Sequence, residues 1–105
     1  VECSFYAYEA LTQMIKKIDK VQKTKHLEIE GILLTKLDNR NTAGYNVVEK
    51  VNFLLPNKTF KTIITHSSHI QEAPNYGKSV IQFSYNSRGS KEYRELAKEL
   101  LERKK

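Results

Sequence analysis

Leu27-Glu28-Ile29-Glu30-Gly31-Ile32-Leu33-Leu34-Thr35 is the stretch whose reading decides the fold. It alternates apolar and charged residues at first and then becomes continuously apolar, as a strand covered on both faces does. Apolar spacing before and after it is helical. Tyr8, Leu11, Ile15, Ile18 and Val21 line one side of a helix over residues 5–22, with Lys16, Lys17, Asp19 and Lys20 on the wet face. Val47, Val48, Val51, Leu54 and Leu55 fit a second helix, closed off before Pro56. Either Asn41 or Thr42 caps its start.

Further along, Thr59 to Thr65 reads as a strand carrying Phe60, Ile63 and Ile64, and Val80-Ile81-Gln82-Phe83 as a short third strand. Ser90 is a cap for a last helix, with Glu92 in its first turn and Tyr93, Leu96, Ala97, Leu100 and Leu101 as its apolar stripe. The order is α-β-α-β-α-β-α, the fifth element being a short helix or a loop. Strand ends lie about a helix length apart rather than a two-residue turn apart, so right-handed parallel crossovers replace hairpins. The class is α/β, with three strands making a narrow sheet whose outer edge would be open to pairing, and hence to swapped or homodimeric assembly.

The chain has 105 residues, 39% hydrophobic and 29% charged, which suits one modest core rather than a disordered or fibrous chain. No apolar run approaches the roughly 18 residues of a membrane span, and no leader marks it for export. A single cysteine, Cys3, makes no internal disulfide, as expected in a reducing cytoplasm. Eighteen Lys and Arg against twelve Asp and Glu leave +6, which permits a polyanionic partner.

Ligands of open parallel sheets sit beyond the carboxyl ends of the strands. Three polar loops leave such ends here: residues 35–42, 65–74 and 84–90. Thr35-Lys36-Leu37-Asp38 has the form of a base-recognition loop, in which an Asp pairs with ring donors while a Lys stem covers the ring. Arg40, His66, His69 and Arg88 add basic groups to the same edge. Without a stacking aromatic code, they favour phosphate-backbone contact over base reading. His66 and His69 alone fall short of the three or four ligands of a metal site. Neither GxxxxGK[ST] nor GxGxxG occurs.

Several blocks, in order, resemble one family. Gly31-Ile32-Leu33-Leu34-Thr35 followed by Asp38-Asn39-Arg40 is similar to the Gly-Val-Leu-Leu-Thr…Asp-x-Arg segment of ParA/Soj-type partition ATPases. Phe60-Lys61-Thr62-Ile63-Ile64 resembles their next strand. Glu72-Ala73-Pro74-Asn75-Tyr76-Gly77-Lys78-Ser79-Val80 resembles their Glu-Ala-Pro-Ser-Tyr-Gly-Lys-Pro-Val. Ser87-Arg88-Gly89 and Tyr93-x-x-Leu96-Ala97-Lys98-Glu99 match the stretch that closes them. The front block, Cys3-Ser4-Phe5-Tyr6-Ala7-Tyr8-Glu9-Ala10-Leu11, resembles their Cys-Glu-Tyr-Tyr-Ala-Leu-Glu-Gly-Leu.

The resemblance implies that residues 1–105 are the carboxyl-terminal portion of such an ATPase domain, the distal half of a doubly wound, mostly parallel P-loop sheet. The deviant Walker A lysine and Walker B aspartate of the family lie upstream of these blocks. ATP and Mg therefore belong to the full-length parent, and this chain alone is expected to bind neither and to hydrolyse nothing. Thr35, Lys36, Asp38, Thr65, His66 and Ser67 would line the adenine side of the nucleotide pocket. Arg40 matches a family arginine implicated in DNA contact. A second such arginine, in the family's Pro-Arg-Asn-x-Arg loop, falls on His69, because that loop reads Thr65-His66-Ser67-Ser68-His69 here. Arg88 joins them. The implied partners are non-specific DNA and a centromere-binding ParB-like protein, at the bacterial nucleoid and not at a membrane. The alternatives are a fragment of a signal-recognition-particle-type GTPase, whose base motif is Thr-Lys-Leu-Asp, or a nucleotide-independent DNA-binding or dimerising module.

Overall fold

The computed structural model describes residues 1–104 except Phe5, Leu27, Asn39 and Asn41, and omits the side chain of Tyr8. The start of the first strand at Leu27 and a cap at Asn41 therefore lie outside the described residues. Helix α1 spans Ala7–Gln22, strand β1 Ile32–Leu37, α2 Thr42–Leu54, β2 Thr59–Thr65, α3 Ser68–Glu72, α4 Val80–Phe83 and α5 Arg88–Arg103. A 3-10 turn, Ala73–Tyr76, follows α3 and ends on Gly77, whose φ of +65° needs the freedom of glycine.

Strands β1 and β2 pair in parallel, as the crossover through α2 requires. On the other side of β1, residues 1–3 add a short parallel segment. The Cys3 amide donates to the Thr35 carbonyl and the Thr35 amide to the Val1 carbonyl, both at 2.8 Å. The core forms where α1 and α2 cover this sheet. Ala7 and Leu11 of α1, Ile32 and Leu34 of β1, and Val47 and Val51 of α2 are buried together. Those positions follow helical and strand periods, so the apolar pattern and the tertiary contacts agree. Beside them an apolar groove of about 510 Å³ opens between α1 and residues 1–4 and 31–33.

The register of β1 on β2 is irregular. Leu34 pairs with Ile63 and Leu37 with Thr65, three steps on one strand against two on the other. Lys36, at φ +55°, absorbs the extra residue as a bulge in the left-handed region. Between Ile32 and Leu34 the excess falls on β2, which advances from Thr59 to Ile63. There two consecutive amides, Lys61 and Thr62, turn outward and donate to Glu99 of α5 at 2.7 and 2.8 Å.

Four expectations are corrected. Val80–Phe83 is not a strand, so the described sheet holds β1, β2 and the residues 1–3 bridge. Ser79 and Gln82 form a capping box, Ser79 Oγ accepting from the Gln82 amide and Gln82 Oε1 from the Ser79 amide. Four apolar-rich residues are too few for periodicity to separate strand from helix, and the cap decides. The first strand begins five residues later than expected, at Ile32 rather than Leu27, and includes Lys36 and Leu37. The last helix is capped by Ser87, which accepts from the Ser90 amide, while Ser90 is buried.

The outer edge of β2 is also not open. Glu92, Glu99 and Arg103 share one face of α5 and take over the edge's hydrogen bonds. Glu92 Oε1 accepts from the Thr65 amide (3.1 Å) and hydroxyl (2.8 Å). Arg103 donates to the Lys58 and Thr59 carbonyls at 3.2 and 2.8 Å. A helix face thus stands where a neighbouring strand would pair, which removes this edge as a template for strand addition.

Candidate functional site

Leu37, Asp38, Arg40, His66 and Arg88 converge on a cavity of about 240 Å³ beyond the carboxyl ends of β1 and β2. Backbone pairing builds it. The His66 amide donates to the Leu37 carbonyl at 2.9 Å, so the exits of both strands are tied together. Ser67 then turns the chain, its hydroxyl accepting from the Ile70 amide to start α3. Arg88 enters as the first residue of α5, after the Ser87 cap.

Asp38 and Arg40 form a local clamp. The carboxylate accepts from the Arg40 amide at 3.0 Å, from Nε at 3.1 Å and from Nη2 at 3.2 Å. The Arg40 side chain, its amide and the nearby His66 hold the Asp38 carboxyl below its ordinary range, and Asp38 in turn raises Arg40. The Arg40 side chain is 87% exposed, so the pair is a surface one and can open at small cost.

The other expected site residues lie elsewhere. Thr35 is a strand residue whose hydroxyl donates to the Val1 carbonyl at 3.4 Å. Lys36 does not reach over the cavity. Its bulge turns the ammonium toward Glu2, 2.8 Å away. Thr65 is held by Glu92 rather than facing the cavity. Ser67 serves as a cap, and His69 is exposed on α3 away from the lining. Of nine residues singled out, Asp38, Arg40, His66 and Arg88 come together. Glu92 escaped notice as a residue of this neighbourhood. Its sequence signal, a carboxylate one turn after Arg88, reads equally as an ordinary surface charge.

The lining brings together an apolar wall from Leu37, a planar imidazole from His66, and two guanidinium groups able to meet anionic oxygens. No group of three or more His, Cys, Asp or Glu gathers among the described residues. No helix among them is long and apolar enough to cross a membrane.

No family model matches the chain. Among curated proteins, it is 41% identical over 102 residues to the sporulation initiation inhibitor protein Soj of Bacillus subtilis, taking in 95% of this chain and 40% of that protein. It is 34% identical over 105 residues to the chromosome partitioning protein ParA of Myxococcus xanthus, with 98% and 37% covered. With ParA of Caulobacter vibrioides the identity is 33% over 107 residues, covering all of this chain and 40% of the relative. These relatives do not favour the GTPase or stand-alone-module alternatives. The chain spans about two-fifths of the length of the curated relatives it matches. It belongs to the ParA/Soj family of chromosome-partitioning proteins.

Proposed function

We propose that this chain is the carboxyl-terminal portion of a partition ATPase of chromosome or plasmid segregation. In that role it contributes the adenine-side wall of the nucleotide site and part of a face for non-specific DNA. The convergence of Asp38, Arg40, His66 and Arg88 beyond the strand ends carries this reading. ATP, Mg and a ParB-like centromere-binding partner belong to the whole protein. The open apolar groove beside residues 1–4 supports the same reading, since it is where further strands of a wider sheet would pack.

The chemistry divides between the two arginines and the acidic partner. Arg88 and Arg40 offer charge to phosphate. Asp38 holds Arg40 until a stronger anion replaces it. An exposed, solvent-screened pair of this kind contributes little, so DNA phosphates compete readily. Arg40→Ala should weaken binding to duplex DNA of arbitrary sequence several-fold at low salt, and reduce the log–log salt slope by about 1. Asp38→Asn should tighten binding modestly by freeing Arg40. Fluorescence anisotropy across a salt series reads both, and an Arg40→Ala variant with parental affinity would remove Arg40 from the footprint.

A further inference from the structure

The chain's positive charge is not spread evenly. Residues 16–25 hold five lysines and one aspartate, so ten residues carry a net +4 of the total +6. Lys16, Lys20 and Lys23 follow at intervals of four and three, which places them on one helical face. Lys17 and Lys25 flank them. All five are exposed, and none enters an ion pair among the described residues. The stripe lies opposite Ala7, Leu11 and Ile15, which are packed toward the sheet. Lysines in the last turn complement the helix dipole, but that accounts for Lys20 and Lys23 only, not for Lys16, Lys17 or Lys25.

We propose that this lysine stripe on α1 is a contact surface for the phosphate backbone of nucleic acid, separate from the Arg40 edge. From Lys16 to Lys23 the stripe rises about 10 Å, a length over which duplex DNA presents several phosphates. Lysine supplies compact, flexible point charges, and no arginine fork or aromatic ring stands among the five, so contact is sequence-independent. A lipid surface fits less well. Helices that lie in a membrane insert their apolar face, and here Ala7, Leu11 and Ile15 at the centre of that face are packed against β1 and α2.

The two basic surfaces are at opposite ends of the sheet. Residues 1–3 run parallel to β1, so α1 must return from the strands' carboxyl ends toward their amino ends. Its lysine-rich half therefore lies far from Asp38, Arg40, His66 and Arg88. The inference does not rest on the loop-edge reading, and the two are separable by mutation.

The test compares the full chain with Lys16→Gln/Lys20→Gln/Lys23→Gln, with Arg40→Ala, and with Lys91→Gln/Lys98→Gln as a lysine-neutralised control on α5, compared per charge removed. Each is titrated with one duplex DNA between 50 and 200 mM salt, after circular dichroism confirms parental helix content. The triple variant is expected to lose about tenfold or more in affinity at the low-salt end, and two to three units of salt slope. The α5 control should lose little. Equal loss per lysine in control and triple variant would overturn the proposal, because diffuse net charge would then suffice. So would a parental salt slope in the triple variant, or parental binding to phosphatidylserine vesicles as tight as to DNA. If Arg40→Ala is silent while the triple variant loses affinity, the loop-edge reading fails and the α1 surface stands.

Discussion

Glu99→Ala is expected to lower the thermal unfolding midpoint by roughly 10 °C or more, a loss of about 2–4 kcal/mol in a domain of this size. The two carboxylate oxygens of Glu99 accept separately, Oε2 from the Lys61 amide and Oε1 from the Thr62 amide. The side chain is only 17% exposed and also pairs with Arg103 at 3.5 Å. Truncation leaves the part-buried Thr62 donor of the β2 bulge without its partner, hands the exposed Lys61 amide to water, and frees the charge that anchors Arg103. Glu99→Gln should also destabilise, because an amide offers one acceptor and sets its own NH2 against the second donor. Glu92→Gln should be nearly neutral, since a single oxygen, Oε1, accepts from both the amide and the hydroxyl of Thr65. Denaturant unfolding of the three variants checks this order; equal midpoints for Glu99→Gln and Glu92→Gln would refute it.

The same carboxyl gives an acid dependence. Burial pushes Glu99 up, but the Lys61 and Thr62 amides, the Thr62 side chain and the Arg103 guanidinium outweigh it and hold the group below its ordinary 4.5. A carboxyl depressed in the folded state contributes stability above its unfolded value and loses it as pH falls through the folded one. Stability should therefore hold from pH 7 to about 5 and fall below 4.5, with a shallower fall in Glu99→Gln.

Gly31→Ala is the second large effect, a loss of about 1–3 kcal/mol or more from overpacking. A Cβ at Gly31 would fall well inside van der Waals contact of the Phe60 ring edge, and 3.1 Å from Arg103 Nη1. The ring has nowhere to go. Phe60 is buried, and the Arg103 guanidinium lies 4.1 Å over its centroid while donating to the Lys58 and Thr59 carbonyls. Moving the ring breaks the clamp that closes the β2 edge. Phe60→Leu should recover part of the loss in the Gly31→Ala background while destabilising the parent, a non-additivity that a double-mutant cycle measures. Additive losses would mean that Gly31 and Phe60 do not meet.

Long periodic segments were legible in the sequence, because burial alone sets their pattern. Helices α1, α2 and α5 and strand β2 lie close to where apolar spacing puts them. Short elements were not. Val80–Phe83 follows its capping box, a hydrogen-bond signal that its apolar content masks. The site was half legible. That polar loops leave parallel strands at one edge follows from topology, so Asp38, Arg40, His66 and Arg88 were found together. The turn of Lys36 toward Glu2 depends on a bulge that no spacing rule announces. Glu92, Glu99 and Arg103 read as ordinary charges of a wet helix face, since their partners are backbone groups more than 25 residues away in sequence.

Nuclear magnetic resonance mapping of a duplex-DNA titration at low salt tests the loop edge most directly. A common set of shifting signals at Arg40, His66 and Arg88 is expected, suppressed in Arg40→Ala. DNA binding that leaves all three signals in place would contradict a nucleic-acid face beyond the carboxyl ends of β1 and β2.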